Sequence, residues 1–245
     1  MVIFSSMKKL LLVLFLFNIL LISNECIGQK SEPDKKYTFK KGDINGIGKW
    51  YMGREIAYVM GYQGISWLER SEREKEENVS DLIQNMKIKS DDFIADIGAG
   101  SGYHVFKMAP LAKNGVVYAV DIQIEMLNTI NKKKEFNKIT NVETILGSEK
   151  SIHLSKNSLD KILMVDVYHE FNFPREMIAS MKNALKPNGK LFLIEYRGED
   201  SKVPIKKIHK MTEKQAVKEM ESAGFKLKEN VKNLPWQHCM IFVKK

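Results

Sequence analysis

Residues 93–103 read FIADIGAGSGY, an apolar run that ends at Asp96-Ile97 and is followed by glycine at every second position. A short apolar run bounded by glycine predicts a buried strand, here Phe93–Ile97. Glycine adopts positive φ easily and lets a ligand approach main-chain NH groups that a side chain would block. We therefore predict that the strand ends in a ligand-binding loop at Gly98, Gly100 and Gly102.

Strand-like and helical runs alternate on either side of this loop. Further strands are predicted at Val116–Asp121, Val142–Leu146, 161–166 and 190–196, and helices at 103–111, Ile124–Phe136 and 174–185. This alternation is typical of a doubly wound α/β fold with a parallel sheet. A turn is predicted at residues 186–189, KPNG, and a helix capped by Thr212. Two final strands at 225–230 and Gln237–Lys244 are close enough to form an antiparallel hairpin.

The charges beside the loop indicate the kind of ligand. A dinucleotide site usually reads Gly-x-Gly-x-x-Gly, whereas here the third glycine comes one residue early and Tyr103 takes its place. Asp121 ends the second strand, where a carboxylate can bind both hydroxyls of a ribose. Asp96 adds a negative charge that favours a cationic ligand over a pyrophosphate. Together these residues predict a nucleoside that carries a positive charge, such as a sulfonium nucleoside.

The loop, Asp121, the strand end at Asp166 and the turn at 186–189 resemble those of class I S-adenosylmethionine-dependent methyltransferases. The resemblance implies a seven-stranded sheet of order 3-2-1-4-5-7-6, with strand 7 antiparallel, and S-adenosylmethionine as cofactor. It implies that Asp96 holds the amino group, and that Ile122 lies against the adenine. The implied cofactor-binding set is Asp96, Gly98, Ala99, Gly100, Gly102, Asp121, Ile122, Ser148, Glu149 and Asp166.

Catalytic candidates follow the fourth and fifth strands, whose carboxyl ends face the crevice of such a sheet. His169 is the predicted general base, because the ordinary pKa of histidine is near neutrality. The full predicted catalytic set is His169, Tyr168, Glu170, Glu195 and Arg197, with His104 and His209 as secondary candidates. No metal ligands are assigned. The charged run at 69–77 is interpreted as a solvated helix face.

The methyl acceptor is predicted to be a small molecule, and no nucleic-acid partner is expected. Family members that methylate the amine of a nucleic-acid base resemble one another in a run of two prolines after the fourth strand, and residues 166–169 lack both prolines. The mature chain keeps one thiol, Cys239, whereas cysteine-based arsenite methyltransferases need several. The formal net charge of +9 is attributed to solubility. Two alternatives stay open, namely a nucleoside-binding module without turnover and an NAD-dependent oxidoreductase with an atypical loop. The oligomeric state is not predicted.

The first 28 residues are typical of an export signal. Lys8 and Lys9 precede an apolar run at 10–22, and small residues at Cys26 and Gly28 suit cleavage after Gly28. The apolar run is shorter than the ~20 residues of a membrane span, so a periplasmic protein is predicted, with an uncleaved anchor as the alternative. How an exported enzyme would obtain a cytosolic cofactor is left open.

The remaining chain divides into three predicted parts. Residues 29–49 are expected to form an exposed lead-in, 50–90 a helical cap, and 91–245 the methyltransferase domain. The cap is predicted because apolar residues recur at helical spacing from Trp50 to Met86.

Overall fold

The described chain begins with three short antiparallel strands. The structure is a computed structural model that describes residues 36–245, so the predicted export signal lies outside the described residues. Strands β1 (Tyr37–Phe39), β2 (Gly46–Tyr51) and β3 (Arg54–Ala57) form a small sheet in that order. Residues 38–44 are exposed, as the predicted lead-in requires, but Tyr37 and Lys49 are buried in this sheet. The predicted helix from Trp50 is wrong. The reason is a tight turn at Met52 and Gly53, which both have positive φ and reverse the chain between β2 and β3.

A seven-stranded sheet forms the centre of the fold. Its strands are β4 (Phe93–Ile97), β5 (Val116–Asp121), β6 (Val142–Leu146), β7 (Leu159–Val165), β8 (Leu185–Tyr196), β9 (Phe225–Val231) and β10 (Gln237–Lys244). Their order is β6-β5-β4-β7-β8-β10-β9, and β10 runs antiparallel to both of its neighbours. The predicted order 3-2-1-4-5-7-6 with an antiparallel seventh strand is confirmed.

Helices cover both faces of this sheet. They are α1 (Ile65–Leu68), α2 (Arg73–Glu77), α3 (Val79–Met86), α4 (Val105–Met108), α5 (Ile124–Phe136), α6 (Pro174–Ala184) and α7 (Glu213–Ser222). Buried side chains of α3, α4 and α5 belong to one apolar cluster, and those of α6 and α7 to another. Each cluster also contains strand residues, which gives the two-sided core of a doubly wound fold. Thr212 caps α7 as predicted, accepting a hydrogen bond from the Gln215 backbone N at 3.1 Å.

Two local predictions are corrected. Helix α4 covers one turn rather than residues 103–111. The predicted turn at 186–189 lies inside β8, where the pairing shifts from Leu159 with Leu185 to Lys161 with Lys190. The additional residues on β8 form an irregular bulge, which accommodates proline and glycine within a strand.

Three 3-10 turns complete the described elements, at Tyr62–Gly64, Tyr168–Glu170 and Lys207–His209. The second and third of these turns contribute to the site described below. Between residues 36 and 245, the helices are all too short or too polar to cross a bilayer.

Candidate active site

The carboxyl ends of β4, β5 and β7 open into a cavity of about 580 Å³. Loops after these strands form its floor, and residues from 58 to 77 and from 204 to 209 also line it. A cavity of this size and position, at the crevice of an open α/β sheet, is typical of a small-molecule site.

The glycine loop brings main chain to the cavity surface. Gly98 and Gly100 line the cavity with φ of 72° and 54°. A Cβ on Gly98 would lie 2.4 Å from Val167 Cγ2, so no side chain fits there. Gly102, with φ of 81°, does not line the cavity; a Cβ there would lie 2.8 Å from the Phe106 ring. Gly102 is therefore required by helix packing rather than by ligand contact. Ala99, another predicted cofactor-binding residue, is also buried and does not line the cavity.

Asp121 holds the glycine loop from the neighbouring strand. Its Oδ2 accepts a hydrogen bond from the Gly100 backbone N at 2.9 Å, and its Oδ1 accepts one from the Gln123 backbone N at 2.9 Å. Burial raises the pKa of Asp121, and these backbone donors oppose that rise. Asp121 and the exposed Ile122 both line the cavity, as the sequence predicts.

Two buried carboxylates lie near the loop with unpaired oxygens. Among the described residues, Asp96 Oδ2 and Asp166 Oδ1 have no hydrogen-bond partner. Burial raises the pKa of Asp96 to about 7, although Arg73 opposes the rise, and burial also raises the pKa of Asp166 well above its ordinary value. Asp166 lines the cavity, whereas Asp96 does not. An unpaired buried carboxylate favours a cation, so these residues fit a ligand with a positively charged group beside exposed main chain.

An ion pair that sequence reasoning missed forms part of the wall. Arg73 Nε donates to Glu77 Oε2 at 2.7 Å, and the Tyr196 hydroxyl donates to Glu77 Oε1 at 2.9 Å. All three residues line the cavity, and both charged side chains are buried. The interpretation of residues 69–77 as a solvated face is therefore wrong for this pair. The sequence feature that could have indicated this ion pair is the i,i+4 spacing of Arg73 and Glu77, which allows the two side chains to pair on one helix face.

The predicted adenine-side residues both line the cavity. Ser148 Oγ lies 3.4 Å from the Ser151 carbonyl, and Glu149 Oε1 accepts a hydrogen bond from Asn172 Nδ2 at 2.9 Å. Their position after β6 follows from the parallel pairing of β5 with β6.

A cluster of His169, Glu170 and His209 lines the opposite part of the site. His169 Nδ1 lies 2.7 Å from Glu195 Oε2, and His169 Nε2 lies 3.1 Å from His209 Nδ1. Burial alone would lower the pKa of His169, but the carboxylates of Glu195 and Glu170 outweigh it and raise that pKa. Burial and the neighbouring His169 lower the pKa of His209 to about 4.

Two of the predicted catalytic side chains do not reach the cavity. Tyr168 is fully buried and its hydroxyl donates to Glu219 Oε2 at 2.6 Å. Arg197 donates to the carbonyls of Leu234, Pro235 and Gln237. Their assignment as groups that touch the substrate is wrong, because both are used in tertiary contacts.

Two other candidates also lie behind the cavity wall. Glu195 is buried behind His169 and contacts it rather than the cavity. His104, a secondary candidate, is buried away from the cavity.

Comparison with known proteins identifies the class to which this site belongs. The family described as "Methyltransferase domain" matches residues 88–238. A crystal structure of a SAM-dependent methyltransferase from Aquifex aeolicus superposes with a TM-score of 0.71 at 23% identity, covering 75% of this chain and 98% of that one. This likeness shows that the fold is shared.

Two curated relatives are similar over part of their length. A ubiquinone/menaquinone biosynthesis C-methyltransferase from Wigglesworthia glossinidia brevipalpis is 28% identical over 117 residues, which cover 47% of this chain and 47% of that protein. A tRNA U34 carboxymethyltransferase from Desulfotalea psychrophila is 27% identical over 124 residues, covering 51% and 37%. The chain spans about half the length, or less, of these relatives.

The family match thus identifies residues 88–238 as a methyltransferase domain, and its fold is the Rossmann-like fold of an S-adenosylmethionine-dependent methyltransferase. Because the family match spans more than half of the sequence, the chain belongs to the methyltransferase-domain family. The cofactor is S-adenosylmethionine, and this finding favours methyl transfer over the two alternatives left open by the sequence.

Proposed function

We propose that the protein transfers the methyl group of S-adenosylmethionine to a small, largely apolar acceptor. The observation that carries this proposal is the composition of the cavity wall away from the glycine loop. Tyr58, Val59 and Trp67 line the cavity and remain exposed to solvent. Exposed apolar side chains grouped around one opening favour an apolar ligand.

The charges at the cavity favour a small molecule over tRNA. Within the described residues the lining has three Lys or Arg side chains: Arg70 pairs with Glu76 and Glu77, Arg73 pairs with Glu77, and Lys206 donates to Asn45 Oδ1 at 2.9 Å. Cations engaged in this way are poorly available to a phosphate backbone, whose recognition depends on free Lys and Arg. The tRNA-acting relative nevertheless makes tRNA the second candidate acceptor.

The residues around the cavity have distinct proposed roles. The cofactor supplies, when bound, a methyl group on a positively charged sulfur. Gly98 and Gly100 offer main chain to its methionine part, Asp166 and Asp96 provide negative charge for its amino group, and Asp121 binds its ribose. Ile122, Ser148 and Glu149 complete the adenine side.

The chain contributes to catalysis mainly by alignment. Holding two reacting groups in line is worth up to about 7–11 kcal/mol in well-oriented systems. The apolar residues at 58–67 exclude water from the reaction. His169, Glu170 and His209 line the cavity, and their proposed role is to receive the nucleophilic atom of the acceptor; the assignment of His169 as general base stays a prediction.

Transfer of label from methyl-labelled S-adenosylmethionine tests the acceptor class. The full chain is incubated separately with a solvent-extracted metabolite fraction and with total tRNA from the source cells. Label is expected in the metabolite fraction, and a Gly98→Ala variant should abolish it. Label that enters tRNA alone would contradict the small-molecule proposal.

We also propose that the protein is exported, on the strength of residues 8–28 alone. Intact-mass measurement of the protein recovered from cell fractions tests this. A mature chain that begins at Gln29 in the periplasmic fraction is expected, and an intact chain in the cytosolic fraction would contradict it.

A further inference from the structure

Two 3-10 turns place three metal-ligating side chains together. His169 and Glu170 belong to the Tyr168–Glu170 turn, and His209 belongs to the Lys207–His209 turn. Their nearest donor atoms all lie within 4.8 Å of one another. Forty residues separate the two histidines, so no local spacing in the sequence reveals this group.

The donor atoms have nearly the separations that one ion requires. His169 Nε2 lies 3.1 Å from His209 Nδ1, and Glu170 Oε1 lies 3.8 Å from His169 Nε2 and 3.9 Å from His209 Nδ1. Two ligand atoms that are each about 2.1 Å from a zinc ion are roughly 3–3.5 Å apart. A small rotation of the Glu170 side chain therefore brings all three atoms to one centre.

The outer contacts orient the ligands. Glu195 Oε2 lies 2.7 Å from His169 Nδ1; in the tautomer that carries its proton on Nδ1, His169 donates this hydrogen bond to Glu195 and directs the lone pair of Nε2 at the cluster. A carboxylate behind a metal-bound histidine is a recurring outer contact of such sites, because it fixes the ring and the tautomer. Glu170 is positioned in a similar way, since its Oε2 accepts a hydrogen bond from the Met60 backbone N at 3.1 Å.

The cluster is both negatively charged and open on one side. Glu170 and Glu195 provide two carboxylates, while the nearby Arg54 is paired with Glu219 at 2.8 Å. His169, Glu170 and His209 all line the cavity, so an ion held by them would keep a ligand position open to the cavity. Three protein ligands with an open position are typical of a catalytic rather than a purely structural metal site.

We propose that His169, Glu170 and His209 bind one divalent transition-metal ion, with Glu195 as a positioning residue for His169. Two imidazoles and one carboxylate suit Zn²⁺ or Fe²⁺, whereas Mg²⁺ and Ca²⁺ prefer oxygen ligands alone. The proposal replaces the expectation that the chain has no metal ligands, and with an ion bound it also replaces the role of His169 as general base, because both of its ring nitrogens are then engaged. It does not depend on the identity of the methyl acceptor.

An ion at this position would select acceptors that carry an oxygen or nitrogen donor. A hydroxyl bound at the open position loses its proton more easily because the ion lowers its pKa. The resulting oxygen would then form the bond to the methyl group, while the sulfur leaves with the electron pair of the broken bond. The proton is released to solvent.

Metal binding by the untagged full chain tests the proposal without any activity assay. Protein stripped with a chelator is titrated with Zn²⁺ by calorimetry and with Co²⁺ by visible absorption. One equivalent per chain is expected, with the ligand-field bands of a nitrogen-containing site, and no competition by Mg²⁺. His209→Asn should weaken binding by more than about 100-fold, and Glu195→Gln by about 10–100-fold.

Two controls separate a site from general metal affinity. His153→Asn removes an exposed histidine outside the cluster and should leave the titration unchanged. Binding of S-adenosylhomocysteine by each variant shows that its fold and cofactor site remain intact. Absence of stoichiometric binding, or equal weakening by His153→Asn and His209→Asn, would overturn the metal site while leaving the methyltransferase assignment untouched.

Discussion

At the scale of single residues, Gly98 and Gly102 of one motif are required for different physical reasons. Gly98 has positive φ and leaves no room for a Cβ beside Val167, whereas Gly102 is restricted by Phe106 in the following helical turn. The sequence predicts both as ligand contacts, because spacing alone does not distinguish a ligand-facing glycine from one facing the protein. The same limit applies to Tyr168 and Arg197, whose partners lie far away along the chain.

Gly98→Ala should weaken S-adenosylhomocysteine binding by more than 10-fold. The added methyl would lie 2.4 Å from Val167 Cγ2, so the loop must move away from the cavity. Gly48→Ala is the matched control, since Gly48 has a similar φ of 69° but lies in β2 outside the cavity. Both variants should lose about 1–2 kcal/mol of folding free energy from the positive φ, and Gly98→Ala should lose more because of the contact with Val167. Calorimetry measures the affinity for S-adenosylhomocysteine, and urea unfolding measures the stability. Equal affinities of the two variants for S-adenosylhomocysteine would contradict the role of Gly98.

Asp96→Asn should alter the pH dependence of stability. Burial raises the pKa of Asp96 to about 7 in the folded chain, whereas the unfolded chain has the ordinary value of about 4. A raised carboxyl pKa stabilises the folded state at low pH, and this contribution is lost as pH rises from about 4 to 7. The free energy of unfolding of the wild type should therefore fall by about 2–4 kcal/mol, relative to that of the asparagine variant, as pH rises from about 4 to 7. A constant difference in urea unfolding from pH 4 to 8 would show that Asp96 titrates normally.

At the scale of elements, the small N-terminal sheet is tied to the main domain by a buried ion pair. Arg54 of β3 donates to Glu219 of α7 at 2.8 Å and to the His169 carbonyl at 3.1 Å. Glu219 also accepts the Tyr168 hydroxyl. The sequence does not predict these strands, because β2 and β3 are short and their apolar residues also match helical spacing. Pairing with one another, rather than local preference, decides their conformation.

Arg54→Ala should destabilise the folded chain by about 3–5 kcal/mol, because it leaves the carboxylate of Glu219 buried without its cation. Lys133→Ala removes an exposed pair with Glu69 of nearly the same length, 2.7 Å, and should cost less than about 1 kcal/mol. Chemical denaturation of the two variants measures the difference. Similar losses would show that the Arg54 pair is not buried in solution.

At the scale of the whole molecule, the doubly wound sheet and the glycine loop follow from the sequence and the strand order follows from the family resemblance, whereas the cavity walls follow from neither. Strand and helix alternation with the loop at 98–102 suffices for a doubly wound sheet, and the structure has that order. The position of the Arg73–Glu77 pair at the cavity, and the meeting of His169 with His209, depend on how distant segments pack over the sheet. Such long-range contacts leave no periodic signal in one sequence.

The most direct test of the account is a crystal structure of the chain with S-adenosylhomocysteine. The account predicts the ligand in the cavity, with its ribose on Asp121, its adenine against Ile122, and its amino group beside the free oxygen of Asp166. Electron density for the ligand elsewhere, or side chains filling the space in front of Gly98 and Gly100, would contradict it.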